Sequence, residues 1–344
     1  MAEKRRRTEI STLGEFGLID HLTKEFKPSQ PTTFKGVGDD CAVISAGDNL
    51  MVITTDLLLE GIHFDLTYSP LRHLGYKAVV VNLSDIYAMN AKPTQITVSV
   101  GVSAKLSVED LEELYSGIHM ACERYSVDLV GGDTSASLTG LCISITAIGE
   151  VSKESITYRS GAKVNDLICV SGNLGSAYMG LQILEREKRV FQATGMEQPK
   201  LEGYDYVLQR QLKPEAKQST IDMLREAGVR PSAMIDISDG LSSDLKHICK
   251  QSGVGCRVYL EKIPIAADTF KVCEEMNFDA VTAALNGGED YELLFTIQQS
   301  DFDKIKNLSG VDFIGHITGA STGEFLVTPD GRDIELKAQG WVAY

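Results

Sequence analysis

The chain contains no Cys-x-x-Cys pair, and its 7 cysteines are odd in number and lie mostly among apolar neighbours. A zinc ribbon and a thioredoxin-like redox motif are thereby excluded, and the expectation is reduced, buried thiols in a cytoplasmic protein. Histidine is scarce as well, at 6 residues, which leaves few nitrogen ligands for zinc or copper. Positive charge is in deficit: 33 Lys and Arg against 48 Asp and Glu give a net charge of −15. Such a chain lacks the basic face needed to displace counterions from nucleic acid or to settle on an anionic bilayer. No apolar run approaches the length of a membrane span. The basic start, Met1-Ala2-Glu3-Lys4-Arg5-Arg6-Arg7, continues into Thr8-Glu9-Ile10-Ser11-Thr12 rather than an apolar signal core, so a solvated tail is expected. Familiar phosphate-binding signatures are missing too. Gly36-Val37-Gly38 would need another glycine where Cys41 stands, and there is no Walker A run and no protein-kinase motif set.

What is present is an ordinary globular composition, 43% hydrophobic and 24% charged, over 344 residues, a length that suits two domains. Met51 to Thr55 reads as a short apolar strand ending in Asp56. Ile96, Val98 and Val100 alternate with polar neighbours, as do Leu141, Ile143, Ile145 and Ala147, and both patterns predict half-buried strands. Between them Ser107-Val108-Glu109-Asp110 resembles a capping box, followed by a helical stripe of Leu111, Leu114, Ile118, Cys122 and Tyr125. The polar stretch from Val151 to Ala162 marks a boundary, dividing the chain into residues 1–151 and 152–344. Beyond it, Leu167 to Val170 reads as a strand leading through Gly172-Asn173-Leu174-Gly175 into a helix. Ala233 to Lys250 repeats that pattern with Gly253 as helix stop, and Asp290 to Ile297 reads as a further strand. Interleaved strands and helices give an α/β or α+β chain with mixed sheets and flanking helices.

Carboxylates and glycines recur together at what read as strand ends: Gly36-Val37-Gly38-Asp39-Asp40, Thr54-Thr55-Asp56, Asn82-Leu83-Ser84-Asp85, Gly131-Gly132-Asp133-Thr134, Asp236-Ile237-Ser238-Asp239-Gly240 and Gly287-Gly288-Glu289-Asp290. Any one of them is ordinary turn or cap chemistry. Together, in a chain poor in histidine, they form a hard oxygen donor set suited to Mg²⁺, Ca²⁺ or Mn²⁺. Glycines beside them let backbone amides approach phosphate oxygens. His63, reached from Asp56 through Gly61, is either a structural histidine or a substrate contact. Arg159, in the turn at the boundary, is either a solvated side chain or a bidentate phosphate ligand. Trp341 and Tyr115 read by default as core aromatics.

Taken in order, G-x-G-D-D, T-T-D-x-x-x-E-G-x-H-F, N-L-S-D-x-x-A-M, G-G-D-T, R-S-G-A-K, I-D-I-S-D-G-L-x-x-D-L and G-G-E-D-Y-E-L form a recognisable series. The chain resembles the thiamine-monophosphate kinases, within the aminoimidazole ribonucleotide synthetase-like ATP enzymes, from about Gly14 to Trp341. The resemblance implies two α/β domains, a homodimer formed through the N-terminal sheets, and direct in-line phosphorylation of thiamine monophosphate by ATP. It implies Asp40, Thr54, Thr55, Asp56, Asp85, Asp133 and Asp236 as ligands of several magnesium ions, with Asp239 on a further ion. Of these, Asp40, Asp56, Asp85, Asp133 and Asp236 are the expected catalytic acids. Tyr115, Gly132, Asp133, Arg159 and Ser238 are implied to contact ATP, and His63, Glu289 and Trp341 to contact thiamine monophosphate. The family often has serine at the position of Thr54, where a hydroxyl survives, and commonly has serine where this chain has Ala177. Because the attacking phosphate oxygen is already ionised at neutral pH, no general base is needed, and catalysis comes from alignment and charge neutralisation.

Two rival readings belong beside this one. A purine-biosynthesis or selenophosphate synthetase-like member would share the fold, although the latter carries a reactive cysteine in an N-terminal glycine-rich loop and none precedes Gly36. Hydrogenase-maturation relatives end in a reactive cysteine, whereas this chain ends Trp341-Val342-Ala343-Tyr344. A non-catalytic metal-nucleotide sensor is the reading from a different class, and the intact set of acids argues against it.

Overall fold

The computed structural model describes residues 9–195 and 199–338. Its first half runs α1 (Gly14–Thr23), β1 (Thr33–Lys35), β2 (Ala42–Ala46), β3 (Asn49–Leu59), α2 (Leu71–Ala88), β4 (Lys92–Ser103), α3 (Val108–Tyr125), β5 (Asp128–Ser137) and β6 (Cys142–Val151). These strands form one sheet in the order β1-β2-β3-β6-β4-β5, antiparallel except for the parallel pair β4–β5. The second half runs β7 (Leu167–Ser171), α4 (Ser176–Thr194), α5 (Asp205–Leu212), α6 (Gln218–Glu226), β8 (Ala233–Asp236), α7 (Leu241–Ser252), β9 (Val254–Tyr259), α8 (Ala267–Glu275), α9 (Ala280–Asn286), β10 (Leu293–Ile297), α10 (Phe302–Ile305), β11 (Val311–Gly319), β12 (Glu324–Val327) and β13 (Asp333–Glu335). Its sheet is ordered β13-β12-β9-β11-β7-β10-β8, with only β12–β9 parallel.

Helix α2 joins the two halves. Of its 18 residues 14 are buried, so it carries no amphipathic stripe. One face packs on β3, β4 and β6, and the same apolar core continues to Met234 of β8 and Phe295 of β10. Val79, Val80, Leu83 and Ile86 are fully buried, worth about 1.5–3 kcal/mol each relative to exposure. This corrects the strand-end reading of Asn82-Leu83-Ser84-Asp85. The β-branched run Val79-Val80-Val81 has strand propensity, yet burial on all sides of a central helix overrides it.

Helix α3 begins with the capping box expected at Ser107, whose hydroxyl accepts from the Asp110 amide while the Asp110 carboxylate accepts from the Ser107 amide. It crosses α2 at two glycines, Gly75 and Gly117. A Cβ on Gly75 would stand 2.0 Å from the Leu114 carbonyl oxygen, and one on Gly117 would stand 1.9 Å from that of Arg72. Two further expectations shift. The strand through Thr54 extends to Leu59, so Asp56 sits inside β3 and not at its end. The last expected strand begins at Leu293, because Glu289 and Tyr291 adopt left-handed backbone, φ +64° and +50°, which breaks extended pairing.

Candidate active site

A cleft of about 1210 Å³ opens between the two halves, larger than a single small-ligand pocket and roomy enough for two ligands side by side. Strand β3, helix α2 and strand β8 meet at its floor. Asp40, Asp85 and Asp236 each place a carboxylate oxygen within 4.8 Å of the others. The local hydrogen bonds explain how. Thr54 of β3 donates its hydroxyl to Asp85 Oδ2 at 2.5 Å, and Ser84 of α2 donates to Asp236 Oδ2 at 2.7 Å. The Asp56 amide donates to Asn82 Oδ1 at 3.0 Å. Asn82, Ser84 and Asp85 of α2 thus tie the helix to both sheets and aim the acids into one space.

Arg159, in the turn between the halves, donates from Nη2 to Asp40 Oδ1 at 2.7 Å, and its amide donates to Asp39 Oδ1 at 3.1 Å. Lys35 pairs with Asp39. One guanidinium does not balance the floor. Burial, opposed by Arg159, pushes Asp40 up to about 7. Burial likewise holds Asp56, Asp236 and Asp239 up at about 6, and burial together with the charges of Asp56, Asp236 and Asp40 raises Asp85 well above the carboxylate range. Asp40 Oδ2 is buried without a hydrogen-bond partner. An all-oxygen donor set, mutually repelling and with an orphan oxygen, fits a hard divalent cation.

His63 and Glu289 line the same cleft. The turn at Gly61, φ +83°, returns His63 so that its Nδ1 accepts from the Leu59 amide at 3.0 Å. Burial lowers the affinity of its ring for a proton. Ser238 and Asp239 line the cleft just after β8, and the Ser238 carbonyl accepts from the Glu289 amide at 2.7 Å.

Other expected residues stand apart. In the register of the first sheet, Asp133 lies level with Ser99, Ser144 and Leu57 across β5, β4, β6 and β3. Residues in one such row share a face, and three strand spacings amount to about 14 Å. Asp133 and Thr55 therefore sit on the face away from α2, while Thr54 and Asp56 sit on the face toward it; Thr55, unlike Asp133, still lines the cleft. The Thr55 hydroxyl is used within the sheet, donating to the Ile145 carbonyl at 3.1 Å. The run containing Gly132 and Asp133 lies inside β5, not at its end, and Gly132 packs so closely on β4 that a Cβ would meet the Val98 carbonyl oxygen at 1.8 Å. Tyr115 packs against the core from α3. Trp341 lies outside the described residues.

Sequence reasoning missed several participants. Lys77 of α2 and Gln211 of α5 both reach Glu289, and a lone lysine within Gly75-Tyr76-Lys77-Ala78-Val79 was the available signal. The turn at Gly172 to Gly175 offers its amides to the chain itself: Asp290 accepts from the Gly175 amide at 2.7 Å. Asp244 accepts from the amides of Asp239 and Gly240, fixing the start of α7. Helix α1 reaches over the cleft, its Phe16 ring 4.0 Å from that of His247 on α7.

Two family matches cover this architecture: the AIR synthase related protein N-terminal domain over residues 38–151 and the C-terminal domain over 163–325. The thiamine-monophosphate kinase of Aquifex aeolicus is 33% identical over 332 residues, 96% of this chain and 98% of that one. The thiamine-monophosphate kinase of Buchnera aphidicola from Schizaphis graminum is 37% identical over 333 residues, 94% of this chain and 97% of its own length. This chain belongs to the thiamine-monophosphate kinase family. A solved structure described as "AaThiL complexed with AMPPCP and TMP" superposes with a TM-score of 0.83 at 31% identity, covering 98% of this chain and 99% of that one. Among thiamine-monophosphate kinases, then, this chain keeps the whole two-sheet frame, and the acids of Asp40, Asp85 and Asp236 meet where its two halves join.

Proposed function

We propose that the chain is a magnesium-dependent kinase that transfers the γ-phosphoryl group of ATP directly onto the phosphate of thiamine monophosphate, giving thiamine diphosphate and ADP. The observation that carries this reading is the convergence of Asp40, Asp85 and Asp236 beneath Arg159, on the floor of a cleft shared by both family halves. The relative solved with AMPPCP and TMP supports a nucleotide and a thiamine phosphate as the pair of ligands. Asp40, Asp56, Asp85, Asp236 and Asp239 are the side chains that would hold magnesium, which would supply positive charge to offset that of the phosphates. Arg159 supplies fixed positive charge beside the reacting phosphates, with Ser238 at the nucleotide's edge. Glu289 and His63 receive the thiamine moiety some way along the cleft. No side chain needs to remove a proton, since the attacking oxygen is an anion.

A homodimer is part of the same proposal. The sheet face away from α2 leaves Leu57 51% and Leu59 36% exposed, and 9 of the 10 residues of edge strand β5 are exposed. An open apolar face and a bare edge are surfaces that a second copy covers. Within one chain Asp133 lies on the sheet face opposite Asp56, so we assign Gly132 and Asp133 of β5 to the cleft of the partner copy. A cytoplasmic location completes the reading, supported by seven cysteines standing unpaired in the fold.

The test is a coupled ADP-release assay with magnesium and ATP, offering thiamine monophosphate, thiamine and aminoimidazole ribonucleotide precursors in parallel. ADP release with thiamine monophosphate alone is the expected result. Release with a purine precursor, or with no acceptor at all, would move the chain to another branch of the superfamily or to a sensor role.

A further inference from the structure

We propose that Lys77 and Gln211 are positioning residues that fix Glu289 as the hydrogen-bond acceptor for the amino group of the acceptor's pyrimidine ring. The inference rests on thiamine monophosphate as acceptor and on Glu289 as its receptor. Both oxygens of Glu289 are tied, each from a different half of the molecule. Lys77 Nζ on α2 lies 2.8 Å from Oε1, and Gln211 Nε2 on α5 donates to Oε2 at 2.6 Å. Lys77 is itself aimed, donating to the Gln211 carbonyl at 3.1 Å. The Lys77 side chain is 5% exposed and that of Glu289 is 27% exposed, so the lysine is sealed behind a carboxylate that faces the cleft.

The backbone supports the same role. Glu289 sits at φ +64° in a conformation that glycine adopts more readily, and its amide is pinned to the Ser238 carbonyl at 2.7 Å. A strained, over-determined residue at a cleft wall is characteristic of a ligand contact. With one donor on each oxygen the carboxylate is held from two sides, and it keeps lone pairs for a further donor from the cleft. Along α2, Lys77 and Asp85 are eight residues apart, about 12 Å, so one helix serves both the ring end and the phosphate end of the acceptor.

A site built around a substrate N–H rejects the analogue that lacks it, because its own polar groups are left unpaired. The experiment therefore compares thiamine monophosphate with its analogue bearing oxygen in place of the pyrimidine amino group, using the full-length enzyme and its Lys77→Met, Lys77→Arg, Gln211→Leu and Glu289→Gln variants. Lys77→Met is expected to raise the KM for thiamine monophosphate about tenfold or more, leave the KM for ATP unchanged and abolish the preference for the amino compound. Lys77→Arg should restore most of that preference. Gln211→Leu should weaken it in the same direction, and it carries the test if Lys77→Met does not fold. If Glu289→Gln loses the preference while Lys77→Met and Gln211→Leu keep it, the positioning role is overturned and the receptor role of Glu289 stands. If Glu289→Gln keeps it as well, Glu289 is not the receptor. A parallel rise in both KM values for the lysine variant would reduce Lys77 to a structural ion pair.

Discussion

Replacing Asp85 by Asn should make the metal-free protein more stable and the enzyme nearly inactive. Asp85, Asp40 and Asp236 hold oxygens within 4.8 Å of one another, where two full charges repel by about 3.5 kcal/mol at an effective dielectric near 20. The sign with pH follows from the raised carboxyls. Asp40 moves from 3.8 to about 7 and Asp236 from 3.8 to about 6, so between roughly pH 4 and pH 7 the folded protein binds more protons than the unfolded chain. Stability is then fully present below pH 4 and falls as pH rises through 6 and 7. An asparagine at 85 mimics the protonated acid and keeps an oxygen for the Thr54 hydroxyl. Wild type and Asp85→Asn should therefore unfold alike near pH 4 and diverge toward pH 8, the variant leading by about 1–3 kcal/mol, or a few degrees in Tm. Magnesium should stabilise wild type and do so far less for the variant. Turnover should fall by about three powers of ten. Thermal unfolding across pH in chelator, repeated in magnesium, gives the first readout, and steady-state ADP release gives the second. A variant less stable than wild type at pH 8 in chelator, or near-normal turnover at saturating magnesium, would refute the reasoning.

Asp56→Asn should lose activity on the same scale while staying folded, as circular dichroism and ADP release will report. If β5 serves the partner's cleft, co-expressing inactive Asp85→Asn with inactive Asp133→Asn should recover about a quarter of wild-type activity, because half the dimers then hold one intact site. No recovery, or a single-chain mass by light scattering across the micromolar range, would contradict the dimer arrangement. Gly117→Ala would force a methyl into the Arg72 carbonyl and should cost about 2–3 kcal/mol or more by urea unfolding. Trp341→Ala should raise the KM for thiamine monophosphate several-fold through loss of a stacking and cation–π face, leaving the KM for ATP alone. Equal shifts in both constants would make Trp341 a core anchor.

The acids were legible because chemistry restricts them: glycine-flanked carboxylates without histidine or thiolate partners have few uses, and Asp40, Asp85 and Asp236 do converge. Their local settings were less legible. A strand and a fully buried helix both present continuous apolar residues, so Asn82-Leu83-Ser84-Asp85 reads as a strand end until a second sheet is seen to cover α2. The row placing Asp133 opposite Leu57, on the face away from Asp56, depends on pairing register across four strands, which no local pattern encodes. Lys77 shows the same limit. Its partner Glu289 is more than two hundred residues away, and only the fold brings this lysine behind a cleft carboxylate.

The central claim is direct, magnesium-assisted transfer between two phosphates in the Asp40–Asp85–Asp236 cleft. It is tested most directly by following label: ATP carrying ¹⁸O in its γ-phosphoryl group is incubated with thiamine monophosphate and the enzyme, and the products are read by ³¹P NMR. The account predicts that the labelled phosphorus appears as the terminal phosphate of thiamine diphosphate, in step with ADP, only when magnesium is present, and not with Asp85→Asn. Label appearing as inorganic phosphate, or thiamine diphosphate forming at an undiminished rate in chelator, would contradict it.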